Sequence, residues 1–98
     1  MDEAMATDYE RLDGNAVAGL LQEVFGAEMT AVSCRCAHCG HVGQLGTLHA
    51  YTSAPGVVLR CSICQQVTLR IAVTPAGYHV DIRGAAYFRM PASDSPAA

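Results

Sequence analysis

Cys36-Ala37-His38-Cys39-Gly40 and Cys61-Ser62-Ile63-Cys64-Gln65 decide how the rest of this chain is read. Each is a C-x-x-C pair, and 21 residues separate the inner cysteines, Cys39 and Cys61. Two thiolates two residues apart bind one ion when the chain turns tightly around it and amides of the turn donate to the sulfurs. Gly40 lets the first turn close, because glycine enters the left-handed region without a Cβ clash. A hairpin in the intervening segment brings the second turn back beside the first. Cys36, Cys39, Cys61 and Cys64 then surround one ion tetrahedrally, as in a closed structural zinc site. The competing reading is a redox dithiol or a pair of disulfides.

Cys34 is left over, two residues ahead of Cys36 on the segment entering the first turn. A small buried thiol explains it, and a reactive or exchanging ligand is the alternative. His38 and His41 flank the site and are expected to face solvent or to support the ligands, while His49 and His79 carry no assigned role.

The hairpins follow from period-two alternation. Val67, Leu69, Ile71 and Val73 alternate with Thr68, Arg70, Ala72 and Thr74, and Tyr78, Val80 and Ile82 alternate with His79, Asp81 and Arg83. Thr74-Pro75-Ala76-Gly77 suits a type I turn between them. That register sets Val73 against Tyr78, Ile71 against Val80 and Leu69 against Ile82 on one face, with Arg70 facing Asp81 as a charge pair on the other. Upstream, Ala54-Pro55-Gly56 reads as a type II turn separating strand residues 45–52 from 57–60.

One helix precedes the strands. Leu12-Asp13-Gly14-Asn15-Ala16 opens it, with Asp13 or Asn15 as the cap and Leu12 as a hydrophobic staple. Val17, Leu20, Leu21, Val24 and Phe25 form its apolar stripe, expected to pack on a sheet, and Gly26 ends it.

With 98 residues the chain is one small domain. The expected domain spans 12–90, between a disordered acidic segment at 1–11 and a disordered tail at 91–98. A core of that size supplies only about 3–5 kcal/mol, so a staple is needed. No apolar run approaches a membrane span and no signal-peptide order opens the chain. A cytoplasmic location is expected, where clustered cysteines read as metal or redox sites. The net charge of −3 conceals a split: residues 1–30 carry seven acids against Arg11, and residues 31–98 carry five arginines against two acids. Zinc with four thiolates contributes −2, leaving the ribbon near +1, a weak footprint for nucleic acid.

Leu12-Asp13-Gly14-Asn15-Ala16, Val24-Phe25, Arg35-Cys36-x-x-Cys39-Gly40, Ala54-Pro55-Gly56 and Asp81-Ile82-Arg83-Gly84 together resemble an uncharacterised actinobacterial family of short proteins, catalogued as a domain of unknown function. The resemblance covers residues 12–90. It implies the same four cysteine ligands, with Cys34 outside the pattern, and no established activity. Genes of this kind are associated with neighbours encoding flavin- and molybdopterin-dependent oxidoreductases, which implies a redox partner.

The expected architecture is thus a small α+β zinc ribbon, one N-terminal helix followed by antiparallel β-hairpins. A zinc closed by four protein ligands has no open position, and no catalytic constellation stands out, so an enzyme is not expected. The leading expectation is a zinc-dependent module that docks on a protein partner. Nucleic-acid binding through Arg35, Arg60, Arg70, Arg83 and Arg89 with Tyr51, Tyr78, Tyr87 and Phe88 is the second. The third is iron in the same four sulfurs, as in the electron-transfer rubredoxins. Gln65, where rubredoxins carry glycine, weighs against it.

Overall fold

The computed structural model describes residues 12–53 and 55–91. Of the segments expected to be disordered, 1–11 lies outside the described residues, and so does 91–98 apart from Pro91. Among those described, eight strands form two antiparallel sheets around one α-helix. The strands are β1 (Leu12–Asp13), β2 (Ser33–Cys36), β3 (Val42–Gln44), β4 (His49–Ser53), β5 (Gly56–Arg60), β6 (Val67–Thr74), β7 (Gly77–Asp81) and β8 (Ala85–Arg89). The larger sheet runs β1-β4-β5-β6-β7, and the smaller runs β3-β2-β8.

The helix α1 spans Ala18–Phe25 and ends at Gly26, whose φ of +76° and amide bond to the Gln22 carbonyl (2.8 Å) close it as expected. Its start differs from the expectation. Leu12 and Asp13 pair with Ala50 and His49 as a short strand, and Gly14–Val17 form a 3-10 turn. Neither Asp13 nor Val17, the residues that precede the two turns, caps by a side-chain bond, and Leu12 packs as an edge residue of the core. Gly14 is there for packing: a Cβ would strike the Leu45 carbonyl of a second 3-10 turn, Leu45–Thr47. That turn also occupies the beginning of the expected 45–52 strand, which starts only at His49.

Val17 and Leu21 of the stripe join one core with Met29, Val32, Cys34, Leu45, Leu48, Leu59, Leu69 and Ile71, and Leu20, Val24 and Phe25 pack against its rim. Phe88 of β8 meets Phe25 edge to face at 6.2 Å, so the helix seals both sheets.

The β6–β7 register is the expected one, with Val73 opposite Tyr78, Ile71 opposite Val80 and Arg70 opposite Asp81. Thr74 Oγ1 accepts from the Ala76 amide and donates to the Gly77 carbonyl, which fixes the turn. Two expectations about this hairpin fail. Asp81 turns to Arg83 two residues on, at 2.6 Å, because that guanidinium and the Arg83 amide reach the carboxylate together, so Arg70 makes no ion pair among the described residues. The apolar row also outruns its cover: Leu69 and Ile71 join the buried core, while Val73, Tyr78, Val80 and Ile82 stand 37–45 % exposed, with α1 touching this end of the row through Glu23 at the Tyr78 hydroxyl.

The upstream hairpin pairs Ser53 with Gly56, and Ala54 lies outside the described residues. Gly56 is a strand residue paired on its other side with Ala72 and lacks the positive φ of a type II turn. Between β5 and β6, Leu59 pairs with Leu69 but Arg60 with Val67, which leaves Thr68 as the extra residue of a β-bulge.

Candidate metal centre

Each C-x-x-C segment is a tight turn at the end of a strand pair, and the two belong to different sheets. Cys36 ends β2 and the chain returns as β3; Cys61 follows β5 and the chain returns as β6. The two turns share one hydrogen-bond frame. The Gly40 amide donates to the Cys36 carbonyl (3.0 Å) and the Gln65 amide to the Cys61 carbonyl (2.9 Å). The Cys36 amide donates to His41 and the Cys61 amide to Gln66, each at 2.9 Å. Both turns close through the left-handed region, at Gly40 (φ +81°) and at Gln65 (φ +68°). Gln65 is the non-glycine with positive φ among the described residues, a conformation that costs an L-residue roughly 1–2 kcal/mol. Its side chain is held by His49, whose Nδ1 lies 3.1 Å from the carboxamide nitrogen, and its main-chain carbonyl accepts from Arg60 at 2.9 Å. His49 carries no legible role in the sequence, and the one signal for this support is the equivalence of Gln65-Gln66 with Gly40-His41.

The β4–β5 hairpin brings the turns together. Cys36 Sγ lies 3.7 Å from Cys64 Sγ, Cys39 Sγ lies 3.7 Å from Cys61 Sγ, and all four sulfurs fall within 4.8 Å of one another. A metal about 2.3 Å from each sulfur of a regular tetrahedron needs sulfurs about 3.8 Å apart. A disulfide needs about 2.05 Å, and all of these thiols are free. The spacing therefore fits one tetrahedral ion and does not fit paired disulfides.

Amides complete the fit. His38 and Cys39 donate to Cys36 Sγ at 3.3 and 3.4 Å, and Ile63 donates to Cys61 Sγ at 3.4 Å, the bonds that stabilise thiolates. Burial pushes the Cys36 thiol up, but the amides of Cys39 and His38 and its neighbouring thiols outweigh it and bring it down to about 7. The Gln66 amide favours a Cys64 thiolate, yet desolvation and the three surrounding sulfurs push it up to about 11. Four negative sulfurs at this spacing are tolerable only around a cation.

Cys34 sits among the core residues at 3 % exposure, opposite Phe88 and Gly43, and its thiol is pushed up to about 11 by burial and by the nearby Cys36 and Cys61. His38 and His41 are exposed and outside the sulfur cluster. Arg60 and Arg70 stand on the larger sheet, and Arg60 lies over the Tyr51 ring at 5.7 Å. Arg35 and Arg89 are on the smaller sheet, with Arg89 over Tyr87 at 5.6 Å, and Arg83 lies in the connection from β7 to β8, so the five ribbon arginines are divided among both sheets and a turn.

Among the described residues, no helix is long and apolar enough to cross a membrane. The model of a family of unknown function, DUF6510, matches residues 6–93. No curated protein and no solved structure matches the chain.

Proposed function

This chain belongs to the DUF6510 family of unknown function, and we propose that it is a zinc ribbon whose Cys36, Cys39, Cys61 and Cys64 hold one structural zinc ion for a protein-interaction role in the cytoplasm. The sulfur spacing carries the reading: two cross-turn pairs at 3.7 Å match the edge of a zinc–thiolate tetrahedron. Zinc there has no open coordination position, so it fastens β2–β3 to β5–β6 and supplies no reaction. The exposed Val73, Tyr78, Val80 and Ile82 row supports an interaction role, because apolar side chains gathered on one strand pair are what a protein partner covers.

Elemental analysis and a visible spectrum of untagged protein from its own host, with co-purifying proteins identified, test this. One equivalent of zinc in colourless protein is the expected result. Iron with visible absorption would replace the reading by electron transfer, and metal-free folded protein would overturn the site.

A further inference from the structure

A second cluster of polar groups lies away from the sulfurs, where the β-bulge of β6 meets the connection from β7 to β8. A cavity of about 400 Å³ opens there, lined by Thr68, Arg70, Asp81, Arg83 and Gly84, with His38 at one side. Thr68 is 1 % exposed, and its Oγ1 has no hydrogen-bond partner, the one such buried side-chain atom among the described residues. An orphaned hydroxyl of this kind costs stability unless something outside the chain satisfies it. Bulges re-aim side chains, and the residue this one displaces, Thr68, lines the cavity together with Arg70 and Arg83.

The cavity's charge points to an anion. Arg70 and Arg83 against Asp81 give two positive charges and one negative, a net +1. Arg70 has no ion pair among the described residues, and Arg83 gives Asp81 its Nε and one Nη, which leaves the other Nη free to donate. Forked guanidinium donors suit the oxygens of carboxylate and phosphate alike. The neighbouring surface favours phosphate. A second cavity of about 370 Å³ shares Val67 and Arg70 with the first and is lined by Tyr51, Val58 and Arg60. Tyr51, Val58 and Arg70 stand in register across β4, β5 and β6, so the aromatic ring and the first cavity are separated by two strand spacings, roughly 10 Å. That is the reach of one nucleotide, and a tyrosine ring beneath a guanidinium is a platform on which bases stack.

We propose that this face binds a nucleotide, with its phosphate held by Arg70, Arg83 and the Thr68 hydroxyl and its base against Tyr51 and Arg60. One ligand chemistry has two sources, a free nucleotide or a single-stranded nucleic acid, and the experiment separates them.

Amide shifts of the metal-loaded full chain are followed by NMR with inorganic phosphate, adenosine monophosphate and a short oligothymidylate as probes. Phosphate should move Thr68, Arg70, Arg83 and Gly84; the nucleotides should in addition move Tyr51, Val58 and Arg60. Tighter binding of the oligomer, weakening steeply with salt, identifies nucleic acid as the source. Equal affinity for monomer and oligomer identifies a free nucleotide. Arg70→Gln should weaken binding about tenfold or more, the loss of a charged hydrogen bond. Thr68→Val separates this role from a structural one: it should raise the melting temperature while weakening binding about fivefold. Shifts scattered elsewhere, or nucleotide binding unchanged in Thr68→Val, would overturn the proposal. None of these variants touches a sulfur ligand, so zinc content stays as a separate readout of the ribbon.

Discussion

Removing the metal is the strongest perturbation available. The core joins both sheets and α1 in one cluster, but a core of this size is worth about 3–5 kcal/mol. Zinc in comparable four-ligand sites contributes about 10–16 kcal/mol in apparent terms at neutral pH. A domain is stable by only about 5–15 kcal/mol in all, so losing about 10–16 kcal/mol should put the apo-protein on the unfolded side of the balance. Loss should concentrate where the geometry needs the ion. The Cys36–Cys64 and Cys39–Cys61 contacts are cross-links between the sheets, and the three amide–sulfur bonds that shape the turns favour thiolates. Chelation should therefore abolish the cooperative melt and most strand signal in far-UV circular dichroism, and stoichiometric zinc should restore both. Cys64→Ser should weaken zinc binding by more than the about 10–100-fold lost when a ligand's supporting group is removed. An unchanged spectrum and melt after complete zinc removal would refute the assignment of a staple to this site.

Gln65→Gly should change the melt by no more than about 1 kcal/mol, since relief of the left-handed backbone offsets the lost His49 bond, whereas Gln65→Val should cost about 2 kcal/mol. Gly84→Ala, whose Cβ would strike the Val67 carbonyl and crowd Thr68 Cα, should destabilise by about 3 kcal/mol or more in denaturant unfolding. The Arg83 side chain and then its amide hold the Asp81 carboxyl below the usual range, so the stability this pair adds is present above about pH 4 and is lost as pH falls through the lowered native value. A carboxyl NMR titration should find the Asp81 midpoint below that of a free aspartate, and a normal midpoint would dismiss the pair. Cys34 should resist iodoacetamide in the zinc-loaded protein, and Cys34→Ala should keep the full metal content; a drop would make it a ligand.

The parts legible in the sequence were those set by local periodicity. Two C-x-x-C turns, the β6–β7 register and the stripe through Val17 and Leu21 each rest on residues a few positions apart. What escaped was set by long-range contact. Cys34 pairs with Phe88 across most of the chain, so β8 had no local partner to announce it. Alternation showed that Tyr78 and Val80 share a face with Ile71, but whether that face is covered depends on where α1 ends in space. Gly14 read as a helix opening because the glycine signal is the same for a turn and for a close approach, and only the position of Leu45 distinguishes them. Thr68 looked like one more polar residue on an alternating strand, but Val67 takes the place opposite Arg60 and Gly84, distant in sequence, packs on the buried Thr68.

The sulfur cluster also shapes the route by which the chain folds. Cys36 pairs with Ala85, 49 residues further on, the costliest kind of closure in chain entropy. Once an ion bridges Cys36 to Cys64, only the 21 residues from Cys64 to Ala85 remain to be looped. The shorter loop lowers the closure cost by about 0.8 kcal/mol. Metal bound early would hasten the docking of β8, and metal supplied late would find that search still unfinished. Refolding started with zinc present should be about fourfold faster than refolding into which zinc is mixed afterwards.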